Sequence, residues 1–251
     1  MRTALLRAVS HDLRSPLAAA TAAVSCLRSA DLDLTAADRD ELLAIAGRSL
    51  DLITGLAASL LDLTRLQAGA RSVFPQPADL EEIIAGALSA LRPAADAVRV
   101  DLPLGLPEVM ADAPVAERVI ANLTANALRH SPAGTPPLLA ARASRGRVEL
   151  LVAGHGPGVP AADWDQMFVP FARLGDTDPA TGLGLGLAVA RGLTEAMGGT
   201  LQPGQTLGGG LSMTLSLLAA PSRPAPGSDK DAETRVDGHQ VLPVAAISSA
   251  R

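Results

Sequence analysis

Aromatic side chains are scarce in this chain: three phenylalanines, one tryptophan and no tyrosine among 251 residues. Its core must therefore be built from Leu, Val, Ile and Ala. A surface that stacks bases on interleaved aromatic and basic residues is excluded. Cysteine is almost missing as well. Cys26 stands alone, which rules out an internal disulfide and a cysteine metal cluster and leaves it as a small helix-surface or interface residue. Lysine occurs once, at Lys230, so positive charge is carried almost wholly by arginine. A net charge of −5 and a pI near 5.3 argue against general nucleic-acid binding. No stretch approaches the ~18 consecutive apolar residues of a membrane span. The N-terminus also lacks the basic, apolar and cleavage regions of a secretory signal. On these grounds the chain itself is expected to be soluble and cytoplasmic.

What is present is enough for one large or two small domains, because 48% of the residues are hydrophobic and can supply a buried core. Over residues 1–29, Leu6, Val9, Leu13, Leu17, Ala20, Val24 and Leu27 follow the three-four spacing of an amphipathic helix. After a break at Asp31 to Thr35, Leu43, Ala46, Leu50, Ile53, Ala57 and Leu60 repeat it over residues 36–67. Two such helices make an antiparallel hairpin. One hairpin has too little opposing surface for stripes this wide, so a homodimer forming a four-helix bundle is expected. With Leu6, Leu13, Ala20 and Leu27 at a positions, His11 falls at f and faces solvent. Pro16 is expected to bend the first helix.

Gly69 is placed to end the second helix, and from Ser72 the pattern turns to mixed α/β. Asp79 with Glu82 resembles a capping box opening a helix to about Leu91. Short strands are expected at Ala97 to Leu102 and Glu108 to Met110, and a hairpin of strands at Leu138 to Ala143 and Arg147 to Ala153. Helices are expected from Asp112 or Ala113 onward and over Leu185 to Met197. Leu211, Met213, Leu215 and Leu217 alternate with small polar residues, as in a half-buried strand. Beyond Ala219 the composition is Pro-, Ser-, Asp- and Gly-rich without period, so residues 220–251 are expected to be a disordered tail.

Three segments carry chemistry. In Ser10-His11-Asp12-Leu13-Arg14-Ser15-Pro16-Leu17, a neutral imidazole is nucleophilic near pH 7, and Asp12 can take its proton as a phosphoryl group arrives. Arg14 can pair with incoming phosphates. Ser15, one turn later, can orient a water for the reverse, dephosphorylating step. Asn122 and Asn126 lie four apart, so both amides share one helix face and offer hard oxygens to Mg²⁺. Arg129 and His130 follow on the next turn, placed for phosphate and base. Gly156-Pro157-Gly158 follows a strand and makes a turn with little bulk. Gly182, Gly184 and Gly186 precede a helix whose free N–H groups favour phosphate. Phe168 and Phe171, between the two glycine clusters, serve as core packing or as anchors of a mobile lid over the nucleotide. Any one of these signals is weak. Together, and in this order, they describe an ATP-dependent kinase that phosphorylates its own histidine.

In order, and over residues 1–218, they resemble the H, N, G1, F and G2 boxes of the bacterial two-component sensor histidine kinases. The strings around His11 and from Phe171-Ala172-Arg173 to Gly198-Gly199-Thr200-Leu201 are most similar to the KdpD-type potassium-sensing members. The resemblance implies an α+β multidomain chain. Residues 1–69 would be the dimerisation and histidine-phosphotransfer hairpin, and residues 72–219 a Bergerat-type (GHKL) α/β sandwich that binds ATP with Mg²⁺. It also implies Arg173 as a nucleotide contact, and phosphotransfer from His11 to an aspartate on the receiver domain of a response regulator. Family members carry input regions and membrane helices. Only ten residues precede His11, so the chain is expected to be a catalytic fragment, a truncated product, or the partner of a separate sensor or membrane protein. Two positions depart from the family pattern. Ser15 stands where threonine is more usual, which keeps the hydroxyl. Gly154 stands where the family has an aspartate that hydrogen-bonds the adenine amino group, which implies weaker ATP binding. The alternative is therefore a degenerate kinase kept as a dimeric module that docks a response regulator or serves as a phosphatase. A third reading, an anti-sigma type serine kinase on the same ATP-binding fold, is opposed by the hairpin and its His11 string.

Overall fold

The computed structural model describes residues 2–29, 32–67, 73–91, 94–172 and 184–221, with residues 2–12 and 67 described as helix only. It opens with the expected hairpin, α1 (Arg2–Arg28) and α2 (Ala36–Gln67). Pro16, Ala20 and Ala23 of α1 are buried at a and d positions, while the f positions Ala18 and Ser25 are exposed. His11 and Asp12 lie within α1, and their side chains fall outside the described residues. Gly69 and residues 222–251 also lie outside them.

The loop closes on a reciprocal cap. The Thr35 hydroxyl and N–H donate to Oδ2 of Asp38 at 2.6 and 2.9 Å, and the Asp38 N–H donates to Oγ1 of Thr35 at 3.2 Å. The hydroxyl bond, and after it the backbone bond, holds the Asp38 carboxyl below the usual carboxylate range. A depressed carboxyl contributes stability above its unfolded pKa of about 3.9, and that stability is lost as pH falls through the lower folded value. Thr35→Ala is therefore expected to lower the thermal midpoint by roughly 2–4 °C at pH 7. The deficit should shrink as Asp38 protonates, and thermal scans at pH 7 and pH 3 would check this.

The remainder is a layered α/β fold. A five-stranded sheet runs β2 (Arg99–Asp101), β4 (Leu138–Ser144), β5 (Arg147–Ala153), β7 (Leu211–Leu218) and β6 (Thr200–Gln205). Only the β2–β4 pairing is parallel. A two-stranded antiparallel piece joins β1 (Gln76–Ala78) to β3 (Val109–Ala111). Cross-strand register aligns Leu139, Val152 and Met213, and likewise Leu150, Leu215 and Leu201, on one face. That face is covered by α3 (Leu80–Ser89), α4 (Ala113–His130) and α5 (Gly186–Ala196), whose Ile83, Val119, Ile120, Leu123, Val189 and Leu193 join the same buried cluster.

Most expected elements recur within a residue or two. Asp79 caps α3 by accepting from the Glu81 N–H at 2.7 Å, but the helix stops at Ser89, two residues short of the expected end. Two strands were not expected. β6 contains Pro203 and Gly204 and lies at the sheet edge, where a missing ladder donor is tolerated. β1 is three residues long, with Pro77 at its centre.

Residues 1–220 form one unit in which α2 packs against α5. α2 is apolar in three directions. Ala46 is buried beside α1, Leu56 and Leu63 are buried in the cluster shared with the sheet layer, and Leu43, Leu50 and Leu61 are more than half exposed. The pattern explains why the helix Ala36–Leu66, whose most apolar 18-residue window has mean hydropathy 1.3, is long and apolar enough to cross a membrane. Arg48 and Asp51, near its middle, would each oppose insertion by ~2.5–3.5 kcal/mol.

Candidate functional site

α4 positions the expected asparagines. It is capped by Asp112, whose carboxylate accepts from the Val115 N–H at 3.4 Å, with Pro114 in the first turn. One face of the helix buries Val119, Ile120, Leu123 and Ala127 against the sheet. The adjoining face brings Asn122, Asn126, Arg129 and His130 to the wall of a cavity of about 1060 Å³, which Leu123 and Ala127 also line. From the turn after β5 come Gly154, Gly156 and Gly158, and from the start of α5 come Gly184, Leu185 and Gly186. The structure thus gathers the asparagine, first-glycine and second-glycine segments around one space of nucleotide size. Arg173 and Gly182 lie outside the described residues. Ser15 is exposed on α1.

Several observations fit a phosphorylated, metal-bearing ligand. Nδ2 of Asn122 is buried without a hydrogen-bond partner, so a donor stands ready at the cavity wall. No side chain caps the N-terminus of α5, leaving first-turn N–H groups for an anion. Among the described residues no group of three His, Cys, Asp or Glu is placed to hold a metal, so the asparagine amides are the hard donors that α4 offers at the cavity.

The glycines do different jobs. A Cβ on Gly156 would run into the carbonyl of His130, so this loop lies directly on the end of α4. Gly184 has φ +66°, and its carbonyl accepts from the Phe171 N–H at 3.1 Å. Gly186 faces open space. Gly156→Ala is expected to push the loop off His130 and weaken nucleotide binding by roughly tenfold, about 1.4 kcal/mol. Titration with a fluorescent ATP analogue would check it. Phe168 is buried and carries the Arg191 guanidinium 3.6 Å from its ring centroid, so it serves as packing. Phe171, half-buried against the core, has φ +69°, an uncommon value for a bulky residue.

At Gly154 the strand leaves the sheet, its N–H donating to the Leu211 carbonyl at 3.0 Å. Val152, Leu211 and Met213 line the cavity beside it, so the side chains next to Gly154 are apolar. The neighbouring His155 N–H donates to Oγ of Ser131 at 3.0 Å, tying the turn to the end of α4.

Sequence reasoning missed one wall. Asp51, Leu52, Gly55, Leu56 and Ser59 of α2 line the same cavity. The signal was the stripe Leu52, Leu56, Leu63, Leu66, distinct from the residues that face α1.

Comparison with known proteins agrees with this arrangement. Residues 1–69 match the His Kinase A (phospho-acceptor) domain, and residues 111–221 match the histidine kinase-, DNA gyrase B-, and HSP90-like ATPase family. The chain belongs to the sensor histidine kinases. Within them it is 47% identical over 232 residues to the sensor protein KdpD of Mycobacterium tuberculosis, covering 89% of this chain and 27% of that protein. It is 31% identical over 227 residues to KdpD of Escherichia coli, covering 90% and 25%. The chain thus spans about a quarter of the length of these relatives. Among solved structures, full-length ShkA in complex with AMPPNP superposes with a TM-score of 0.60 at 28% identity, over 87% of this chain and 46% of that one. The Acinetobacter baumannii histidine kinase AdeS gives 0.62 at 22% identity, over 83% and 97%.

Proposed function

We propose that this chain is the catalytic region of a KdpD-like sensor kinase, which phosphorylates itself on His11 from ATP and passes the phosphoryl group to an aspartate on a response-regulator receiver domain. The observation that carries the reading is one cavity shared by Asn122, Asn126 and the uncapped first turn of α5, beside a hairpin whose first helix bears His11.

The neutral imidazole attacks the γ-phosphorus. A phosphorus–nitrogen bond forms as the bond to the β,γ-bridging oxygen breaks, ADP leaves with that electron pair, and Asp12 takes the imidazole proton. Asn122 and Asn126 are the residues that would hold Mg²⁺, through their amide oxygens, and the ion would supply neutralisation of phosphate charge. Arg129 and Arg173 pair with phosphate oxygens, and His130 lies against the base. Gly156, Gly158, Gly184 and Gly186 keep backbone close to the ligand, and Gly182 belongs to the same glycine-rich string. In the second step the phosphoryl group passes to a receiver carboxylate and the imidazole is restored. Ser15 orients the water for dephosphorylation.

We assign residues 1–69 to the phosphotransfer hairpin, 72–219 to the ATP-binding domain and 220–251 to a tail. The exposed stripe of Leu17, Val24, Leu43, Leu50 and Leu61 supports a homodimeric four-helix bundle. Arg48 and Asp51 support α2 as a bundle helix on the cytoplasmic side of a membrane-anchored assembly, rather than as a span. The asparagine pair and the uncapped helix favour catalysis over the degenerate module. Gly154 is read as a weakening of ATP binding, not its loss.

The test is incubation of the purified chain with Mg²⁺ and γ-labelled ATP. Acid-labile label on His11 is expected. A chain that binds ATP and takes up no label would refute the reading.

A further inference from the structure

One charged pair lies outside the cavity and outside every motif above. Asp62 of α2 is 3% exposed, and its Oδ2 stands 2.5 Å from Nε of Arg118 on α4, whose side chain is one-third exposed. The contact is a close ion pair between the carboxylate and the guanidinium. Carboxylates are almost never fully buried unless paired. On an interface otherwise formed by Leu56, Leu63 and Leu66, a charge is costly for mere adhesion. The pair does favour one seating over its neighbours, because a slip by a turn would carry the buried Asp62 carboxylate away from the Arg118 guanidinium.

The seating it selects is informative. Arg118 precedes Asn122 by one turn of α4, so Asp62 fixes the helix that carries the metal-binding face. On the other side, α2 residues from Asp51 to Ser59 form a wall of the nucleotide cavity. Along the hairpin, His11 and Ile53 each lie about 25 Å from the loop ends Arg28 and Ala36, taking a rise of ~1.5 Å per residue. The cavity therefore opens onto the hairpin at the height of the phosphate-accepting histidine. A second contact supports the same seating: Gly192 of α5 sits so close beneath Leu66 that a Cβ there would reach its side chain at 2.8 Å.

We propose that Asp62 and Arg118 are positioning residues for autophosphorylation, a latch between α2 and α4 that holds the nucleotide cavity level with His11. The proposal rests on the kinase reading above. Neither residue lines the cavity, so the pair acts on the rate of transfer and not on ATP affinity.

The experiment measures two quantities, initial labelling rate with γ-labelled ATP and Kd for a fluorescent ATP analogue, in the parent, Asp62→Asn, Arg118→Ala and the charge-exchanged double variant Asp62→Arg/Arg118→Asp. Each single variant is expected to lose at least about tenfold in labelling rate with Kd unchanged, and the exchanged pair to recover most of the rate. Recovery is a result that simple misfolding of the single variants cannot produce. Single variants that label as fast as the parent, or faster, overturn the proposal. So does a loss of ATP affinity equal to the loss of rate, or an exchanged pair no better than the singles. A parallel arm separates this failure from that of the kinase reading. In a Cys26→Ser background, Leu66→Cys with Gly192→Cys should cross-link under mild oxidation, and adding Asp62→Asn should abolish the cross-link. An unlabelled parent that still cross-links refutes the kinase reading, and with it the role in autophosphorylation, while showing that the α2–α5 seating itself is real; a labelled parent whose cross-link is insensitive to Asp62→Asn refutes the latch.

Discussion

His11→Ala is expected to abolish acid-labile labelling, taking incorporation from γ-labelled ATP to the background of a blank. The change removes the atom that becomes covalently bound, so no residual route to a phosphoimidazole exists. The chemistry of the product makes the readout selective. A phosphorus–nitrogen bond is cleaved in acid, where the imidazole leaves protonated, and survives base, whereas a serine ester shows the reverse pattern. Nucleotide affinity should be unchanged, because the groups proposed to hold it lie on α4, the β5 exit and the start of α5. Asp12→Asn is a graded companion. It leaves the nucleophile but removes the proton acceptor, and general-base losses run ~10²–10⁴-fold in rate. Label persisting in His11→Ala would place the phosphoryl group elsewhere and dismiss the string around His11 as the acceptor.

The extent to which this fold can be read from its residues depends on the kind of force that shapes each element. β5 was legible to the residue because Val148, Leu150 and Val152 alternate with half-buried positions, and period two is a direct consequence of the pleat. α4 was legible because Asp112 and Pro114 mark its start and its buried face repeats at three and four. β6 was not, because Pro203 and Gly204 carry no periodic signal and their strand is held by its partner. Leu201 and Pro203 find their places opposite Leu215 and Met213 only once β7 exists. The same division holds in the site. Asn122 and Asn126 announce themselves by four-residue spacing along one helix. The wall supplied by α2 does not, since Leu52 and Leu56 read equally well as hairpin core until the rest of the chain folds against them. Asp62 carries no signal of its own in the sequence for the same reason. Burial is a property of the partner surface, which spacing along α2 cannot reveal.

Gly154→Asp is expected to strengthen ATP binding by roughly ten- to a hundredfold, the equivalent of about 1.5–3 kcal/mol for a hydrogen bond to a charged acceptor. The cavity end beside Gly154 is formed by Val152, Leu211 and Met213, which can pack an adenine ring but cannot accept from its amino group. A carboxylate here would add that acceptor where the family places it. The backbone admits the change. Added at this position, a Cβ meets Ala127 and the Leu211 carbonyl at 3.4 Å, the edge of ordinary van der Waals contact, and the main chain keeps its bond to Leu211. The thermal midpoint should therefore move little, while Kd for ATP falls and Kd for GTP, which presents a carbonyl at the same place, does not. Selectivity is the sharper readout. A carboxylate that merely raised local order would tighten both nucleotides, whereas one that accepts from the amino group must separate them. If both tighten equally, or neither does, the base lies elsewhere in the cavity. The apolar end beside Gly154 would then not be an adenine site with one contact missing.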